Sequence, residues 1–167
     1  MDKVFWVIPG ELAGRPGPDL SPWRLESLAE GGIRAILSVN DGSLCHADEL
    51  AQAGLDYACI PLSDNAPPRP GDEDICREAL PRAYRFAVER IAAGKPVLVH
   101  CSAGKDRTGL FMGYFLARRL RIPVQEAVRT VRAVRPVALS AEGWDEFAPR
   151  VIARCLAMDA EQDVIAP

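Results

Sequence analysis

A short apolar strand, a loop of small residues and a long apolar helix follow one another without a break, and they constrain this chain more than any other feature. Pro96 to Val99 is apolar at successive positions, as a strand covered on both faces should be. Thr108 to Leu120 is apolar almost throughout until Arg118, which predicts a helix surrounded by protein. A strand buried on both sides and feeding a buried helix belongs in a layered α/β fold. The loop between them, from Cys101 to Arg107, then lies at the C-terminal end of a strand, where open sheets place their ligands.

The rest of the chain fits that frame. Val4 to Ile8, Ile33 to Val39 and Leu55 to Pro61 read as further strands. Gly10 to Pro22 reads as a loop rich in Gly and Pro, and Ser63 to Asp74 as another. Helices are predicted for Trp23 to Glu30 and His46 to Ala53. Leu80, Tyr84, Ala87 and Ile91 keep helical spacing up to Gly94. Pro81 sits near the start of that stripe, so the helix is expected to begin or bend there. Val124, Val128 and Val131 mark another helix, and Trp144, Phe147, Val151 and Cys155 a last one with a kink at Pro149. The predicted fold is α/β: one domain over residues 1–157, with a central, mostly parallel sheet of about four or five strands flanked by helices. Residues 158–167 read as an acidic, disordered tail.

The 167 residues suffice for one compact core, and a net charge of −3 argues against nucleic acid as a ligand. Apolar runs are too short for a membrane span, and Val4 to Ile8 is too short for a signal-peptide core. Five cysteines without a paired pattern suit a reducing compartment, so a cytoplasmic monomer is expected. With only His46 and His100 and no Cys-x-x-Cys pair, no metal or other cofactor is expected. Gly104-Lys105 is not a nucleotide-binding loop: Val99 stands where its first Gly belongs, and Asp106 replaces the Ser or Thr that would hold magnesium.

The loop itself carries chemistry. Cys101 and Arg107 enclose five residues, with His100 before them and Thr108 after. Ser102, Ala103, Gly104, Lys105 and Asp106 form a short, mostly small-residue arc whose backbone N–H groups can converge on an anion. The helix that follows adds its positive end, and Arg107 adds a planar fork able to bind two oxygens at once. The same field favours the nucleophilic thiolate of Cys101. This pattern suits a cysteine nucleophile attacking a phosphate monoester.

These residues resemble the cysteine-based protein tyrosine phosphatase superfamily, whose members carry His-Cys, five residues, then Arg and Ser or Thr. The compact size is similar to the dual-specificity and tensin-homologue branches, and Gly104-Lys105-Asp106-Arg107-Thr108 to bacterial tyrosine and lipid phosphatases. The resemblance implies catalysis by Cys101 and Arg107, with Thr108 bonding the sulfur and His100 holding the loop. It also implies a general acid on a loop after a strand. Asp64, followed by Pro67-Pro68, resembles that acid, and Asp106 is the alternative. Lys105 and Arg15 are candidate substrate-rim cations. Arg132-Ala133-Val134-Arg135-Pro136 resembles a segment in which the second Arg braces the catalytic loop. Cys45 or Cys59 is a candidate redox partner for Cys101. The Gln that often positions water in the dual-specificity branch has no counterpart in residues 141–145.

The implied substrates are phosphoproteins bearing phosphotyrosine, phosphoserine or phosphothreonine, with phosphoinositides as the alternative. An arsenate reductase, a sulfurtransferase or a non-catalytic phosphate-binding adaptor is more distant. The first two order their cysteine loops differently, and an adaptor usually loses the Cys, the Arg or the acid.

Overall fold

A computed structural model describes residues 1–165. Its five strands are β1 (Phe5–Ile8), β2 (Leu12–Pro16), β3 (Ala35–Ser38), β4 (Asp56–Cys59) and β5 (Val97–Cys101). They form one sheet in the order β1-β2-β5-β3-β4, parallel throughout except for the β1–β2 pair. The strand that leads into the Cys101 loop, β5, is therefore central, as its two-faced apolar pattern requires, and all five of its residues are buried.

Six helices cover the sheet: α1 (Leu25–Glu30), α2 (Ala47–Gln52), α3 (Asp72–Ala92), α4 (Asp106–Leu120), α5 (Val124–Val134) and α6 (Trp144–Ile165). Alternation along β5 sends Val97, Val99 and Cys101 toward the core of α3 to α6. Leu98 points the other way, toward α1 and α2. Every residue of α4 from Thr108 to Ala117 is buried. Burying each large apolar side chain there contributes about 1.5–3 kcal/mol of transfer free energy, so the helix that carries Arg107 and Thr108 has a rigid seat. No described helix is long and apolar enough to cross a membrane.

Three expectations are corrected. First, the Gly- and Pro-rich stretch from Gly10 to Pro22 contains β2, which pairs in parallel with β5 from Leu12↔Val97 to Pro16↔Cys101. The local composition argued for a loop, but the vacant edge of β5 supplies the hydrogen bonds. Gly14 is needed inside this strand, because a side chain there would strike Phe5 and Met112. Second, α3 starts at Asp72 rather than near Pro81, and Pro81 lies inside it. Burial of Cys76, Ala79, Leu80, Ala83 and Ala87 outweighs the one helical bond that proline forfeits. Pro149 lies inside α6, where the sequence placed it. Third, the expected tail continues α6 as far as Ile165. Met158 accepts from Arg77 at 2.8 Å, and buried Asp159 accepts from the Tyr114 hydroxyl at 2.6 Å. Ala166 and Pro167 lie outside the described residues.

Candidate active site

At the C-terminal end of β5 a cavity of about 130 Å³ is lined by Asp64, Ala66, Cys101, Ser102, Ala103, Asp106, Arg107, Ala141 and Trp144. Wider clefts of about 300 and 450 Å³ lie around Trp23 and Glu49, between α1 and α2. They lack the convergence of thiol, guanidinium and carboxylate found in the smaller cavity.

Cys101 is 2% exposed, and its sulfur accepts a hydrogen bond from Thr108 Oγ1 at 3.2 Å. Thr108 and Arg107 stand in the first turn of α4, whose leading amides have no partner within the helix. Arg107 is half-buried, and no carboxylate among the described residues pairs with it. The cavity thus presents one free guanidinium and a helix end to an anion.

The loop is held from several sides. Gly104 adopts φ +59, and a Cβ there would collide with the Arg15 backbone, so both conformation and space demand glycine. Arg135 donates to the carbonyls of Ala103 at 2.8 Å and Gly104 at 3.1 Å, which is the brace expected of it. The Gly17 amide donates to the Ser102 carbonyl at 2.8 Å, so the segment after β2 also grips the loop.

His100 is fully buried and points away from the cavity, on the α1 side of the sheet. Its Nδ1 lies 3.1 Å from the Cys101 carbonyl, which can only accept, so Nδ1 carries the proton. Nε2 then accepts from Ser38 Oγ at 2.6 Å, and Ser38 in turn accepts from the Tyr57 hydroxyl at 2.9 Å. Burial, partly opposed by the hydrogen bond to Cys101, lowers the His100 pKa from its ordinary 6.5 to about 4.

A stability prediction follows from that neutral ring. Between about pH 6.5 and 4 the unfolded chain takes up a proton at this residue and the folded chain does not. His100 should therefore contribute its full stabilisation above about pH 6.5. As pH falls toward 4, up to about 3 kcal/mol of it should be lost. Urea melts of wild type and His100→Asn at pH 7 and pH 4.5 check this. The gap between the two proteins should narrow at the lower pH, and an unchanged gap refutes the assignment.

The two acid candidates differ in their surroundings. Asp106 Oδ1 accepts from the Ala141 amide at 3.1 Å, and Oδ2 pairs with Lys105 Nζ at 2.7 Å. Asp64 is exposed at the cavity mouth, with no hydrogen-bond or ion-pair partner among the described residues. Lys105 also donates to Ser140 Oγ at 3.0 Å, so its charge is turned toward Asp106 and the loop before α6.

Two expectations about side chains do not hold. Arg15 is not at the rim: it is 2% exposed and donates to Ser21 O and Oγ, both at 3.2 Å. Strand alternation puts it with Ala13 on the α1 side, 5.5 Å from the Trp23 ring centroid. Cys45 and Cys59 do not stand beside Cys101. Cys45 lies 3.5 Å from His100 Nε2, Cys59 follows Tyr57 in the same strand face, and Cys101 faces the opposite core. Burial also pushes the Cys45 thiol up, away from the reactive anion.

Trp144, read from sequence only as a core residue, lines the cavity and donates from Nε1 to the Asn65 carbonyl at 2.9 Å. It occupies the segment in which the water-positioning Gln was missed. Its cavity role was not visible in the helical stripe that correctly made it apolar and buried.

Comparisons with known proteins point to one family. The family model described as dual specificity phosphatase, catalytic domain, matches residues 21–145. The chain is 36% identical over 103 residues to triple specificity protein phosphatase PtpB of Mycobacterium tuberculosis, covering 60% of this chain and 35% of that protein. It is 27% identical over 143 residues to human dual specificity protein phosphatase 12, covering 86% of this chain and 39% of that one. The chain thus spans well under half the length of both relatives. A crystal structure of Tk-PTP in the active form superposes with TM-score 0.73 at 24% identity, covering 92% of this chain and 98% of that one. Human DUSP28 superposes with TM-score 0.69 at 19% identity, covering 92% and 95%. Since the matched region takes in the Asp64 loop, the Cys101 loop and the Arg135 brace together, the chain belongs to the dual specificity phosphatase catalytic-domain family of cysteine-based phosphatases.

Proposed function

We propose that this chain hydrolyses phosphate monoesters through a cysteinyl-phosphate intermediate, acting on phosphotyrosine, phosphoserine and phosphothreonine in proteins. One observation carries the reading: the Thr108-bonded sulfur of Cys101 shares a cavity with an unpaired Arg107 and the free carboxyl of Asp64. The Cys101 thiolate attacks phosphorus, forming the S–P bond as the P–O bond to the leaving group breaks. Arg107 and the α4 end hold the equatorial oxygens and take up their charge. Protonated Asp64 gives its proton to the leaving oxygen. Water then attacks the phosphocysteine, Asp64 takes its proton, and the S–P bond breaks to release phosphate and the thiolate.

Asp64 is favoured over Asp106 because both oxygens of Asp106 are engaged in holding Lys105 and Ala141. The same Lys105–Asp106 pairing leaves little cationic rim for a polyanionic headgroup, which favours protein over phosphoinositide substrates. A free thiol nucleophile needs a reducing setting, so the proposed compartment is the cytoplasm.

Phosphopeptides, inositol phosphates and phosphoinositides assayed side by side test the substrate class, with thiosulfate and arsenate as controls. Peptide turnover is expected, and turnover of lipids alone reverses the assignment. Asp64→Asn should lower kcat on alkyl phosphates by about 10²–10³-fold and far less on aryl phosphates whose leaving group departs without a proton. If Asp106→Asn shows that selectivity instead, the acid is Asp106.

A further inference from the structure

The exposed Asp64 carboxyl has no side-chain partner, so only its backbone can aim it at Cys101. Residues 61–71 form neither helix nor strand. Fixing each such residue costs about 1–2 kcal/mol of conformational entropy, so something specific must hold this loop in place. Asp72 meets that need. It is the first residue of α3 and only 4% exposed. Asn65, next to the acid, donates from Nδ2 to both Asp72 oxygens at 2.9 and 3.1 Å. The Arg69 amide donates to Oδ2 at 2.6 Å. The residue that follows Asp64 and the turn that leads into α3 are thus tied to one carboxylate.

Resting on the reading of Asp64 as the acid, we propose that Asp72 is a positioning residue: a buried carboxylate that fixes the acid loop through Asn65 and Arg69, and so aims Asp64 at the Cys101 cavity before substrate arrives.

Three features argue for this over an ordinary helix start. An aspartate in a first helical turn commonly turns back to cap its own amides, but this carboxylate is taken up by loop residues 65 and 69. No Lys or Arg forms a salt bridge to it among the described residues, so the loop's donors, with the charge of Arg69 on the same loop, are what offset the burial of its own charge. Burial opposes its ionisation, yet those hydrogen bonds hold its carboxyl below the usual carboxylate range. Both ends of the clasp are rigid. On one side α3 sinks Cys76, Ala79 and Leu80 into the core. On the other, Trp144 is 1% exposed and bonds the Asn65 carbonyl, while Gly143 lies against Pro67 and Pro68. The acid loop is thereby gripped by two helices, neither of which carries the nucleophile.

The test uses leaving-group dependence, which a merely structural residue would not alter. Wild type, Asp72→Ala, Asp72→Asn, Asn65→Ala and Asp64→Asn are assayed on an alkyl phosphate and on an aryl phosphate with an acidic phenol. A displacement of about 1 Å at a reacting group can cost about 10²-fold. Asp72→Ala should therefore lose about 10–100-fold in kcat on the alkyl ester and under about 3-fold on the aryl ester. Asp72→Asn keeps one acceptor oxygen and should lose less. Asn65→Ala should repeat the alkyl-selective loss, and serves with Asp72→Asn if Asp72→Ala fails to fold. Adding Asp72→Ala to Asp64→Asn should cause no further selective loss. Equal losses on both esters, or none on either, overturn the proposal while a selective Asp64→Asn leaves the acid in place. A non-selective Asp64→Asn instead removes the acid assignment itself.

Discussion

Cys101→Ser is expected to abolish turnover, lowering kcat at least about 10⁴-fold, while phosphopeptide binding stays within a few-fold. The reason lies in what surrounds the sulfur. Thr108 Oγ1 donates to it at 3.2 Å, and Arg107 and the start of α4 lie beside it. All of these stabilise an anion and none is a base. A thiol can live as its anion in such a field, whereas a hydroxyl stays protonated, and the proposed acid Asp64 is itself protonated at that step and so does not take the proton. Binding survives because the guanidinium, the helix end and the loop amides are untouched. Single-turnover assays with a phosphopeptide, together with direct titration of the same peptide, measure the two effects separately. Retention of more than about 1% of wild-type kcat would show that phosphate leaves by a route not using the sulfur.

Arg107→Lys is expected to lower kcat/KM by about 10²–10³-fold although the charge is kept. Lysine offers a point charge where the transition state needs two parallel donors to equatorial oxygens. No carboxylate among the described residues pairs with Arg107, so the change breaks no ion pair and folding stability should move by less than about 0.5 kcal/mol. Kinetics on p-nitrophenyl phosphate and thermal melts check both halves. A lysine variant with a third of wild-type activity would mean that charge alone suffices.

The helices α4 and α5 and strand β5 were legible because their patterns reflect burial by any fold: Thr108 to Ala117 is apolar because it is surrounded. The Cys101 loop was legible because its chemistry is contiguous. β2 was not, since Gly14 and Pro16 look like loop residues until β5 is present to pair with them. Nothing local reveals that the Asp72 carboxylate is buried under the Asp64 loop. Arg15 and Cys59, both strand residues, were misplaced for a common reason, whereas Cys45 sits in the loop before α2. Which face of a sheet a residue occupies depends on the strand register, and register belongs to the pairing of distant segments.

The amino-acid order alone placed Cys101 and Arg107 in one loop and determined the layered α/β frame, because strand, loop and helix are neighbours in the chain and their periodicities are local. Only the tertiary structure decided which of the two acid candidates is left without a partner among the described residues, and that Asp72 bonds the loop beside it. Asp64, Asp106 and Trp144 line one cavity, and Asn65 links Trp144 to Asp72 through a contact spanning 79 residues, set by how α3 and α6 pack on the sheet. Short-range pattern carries no trace of such contacts, because their geometry exists only once the core has formed.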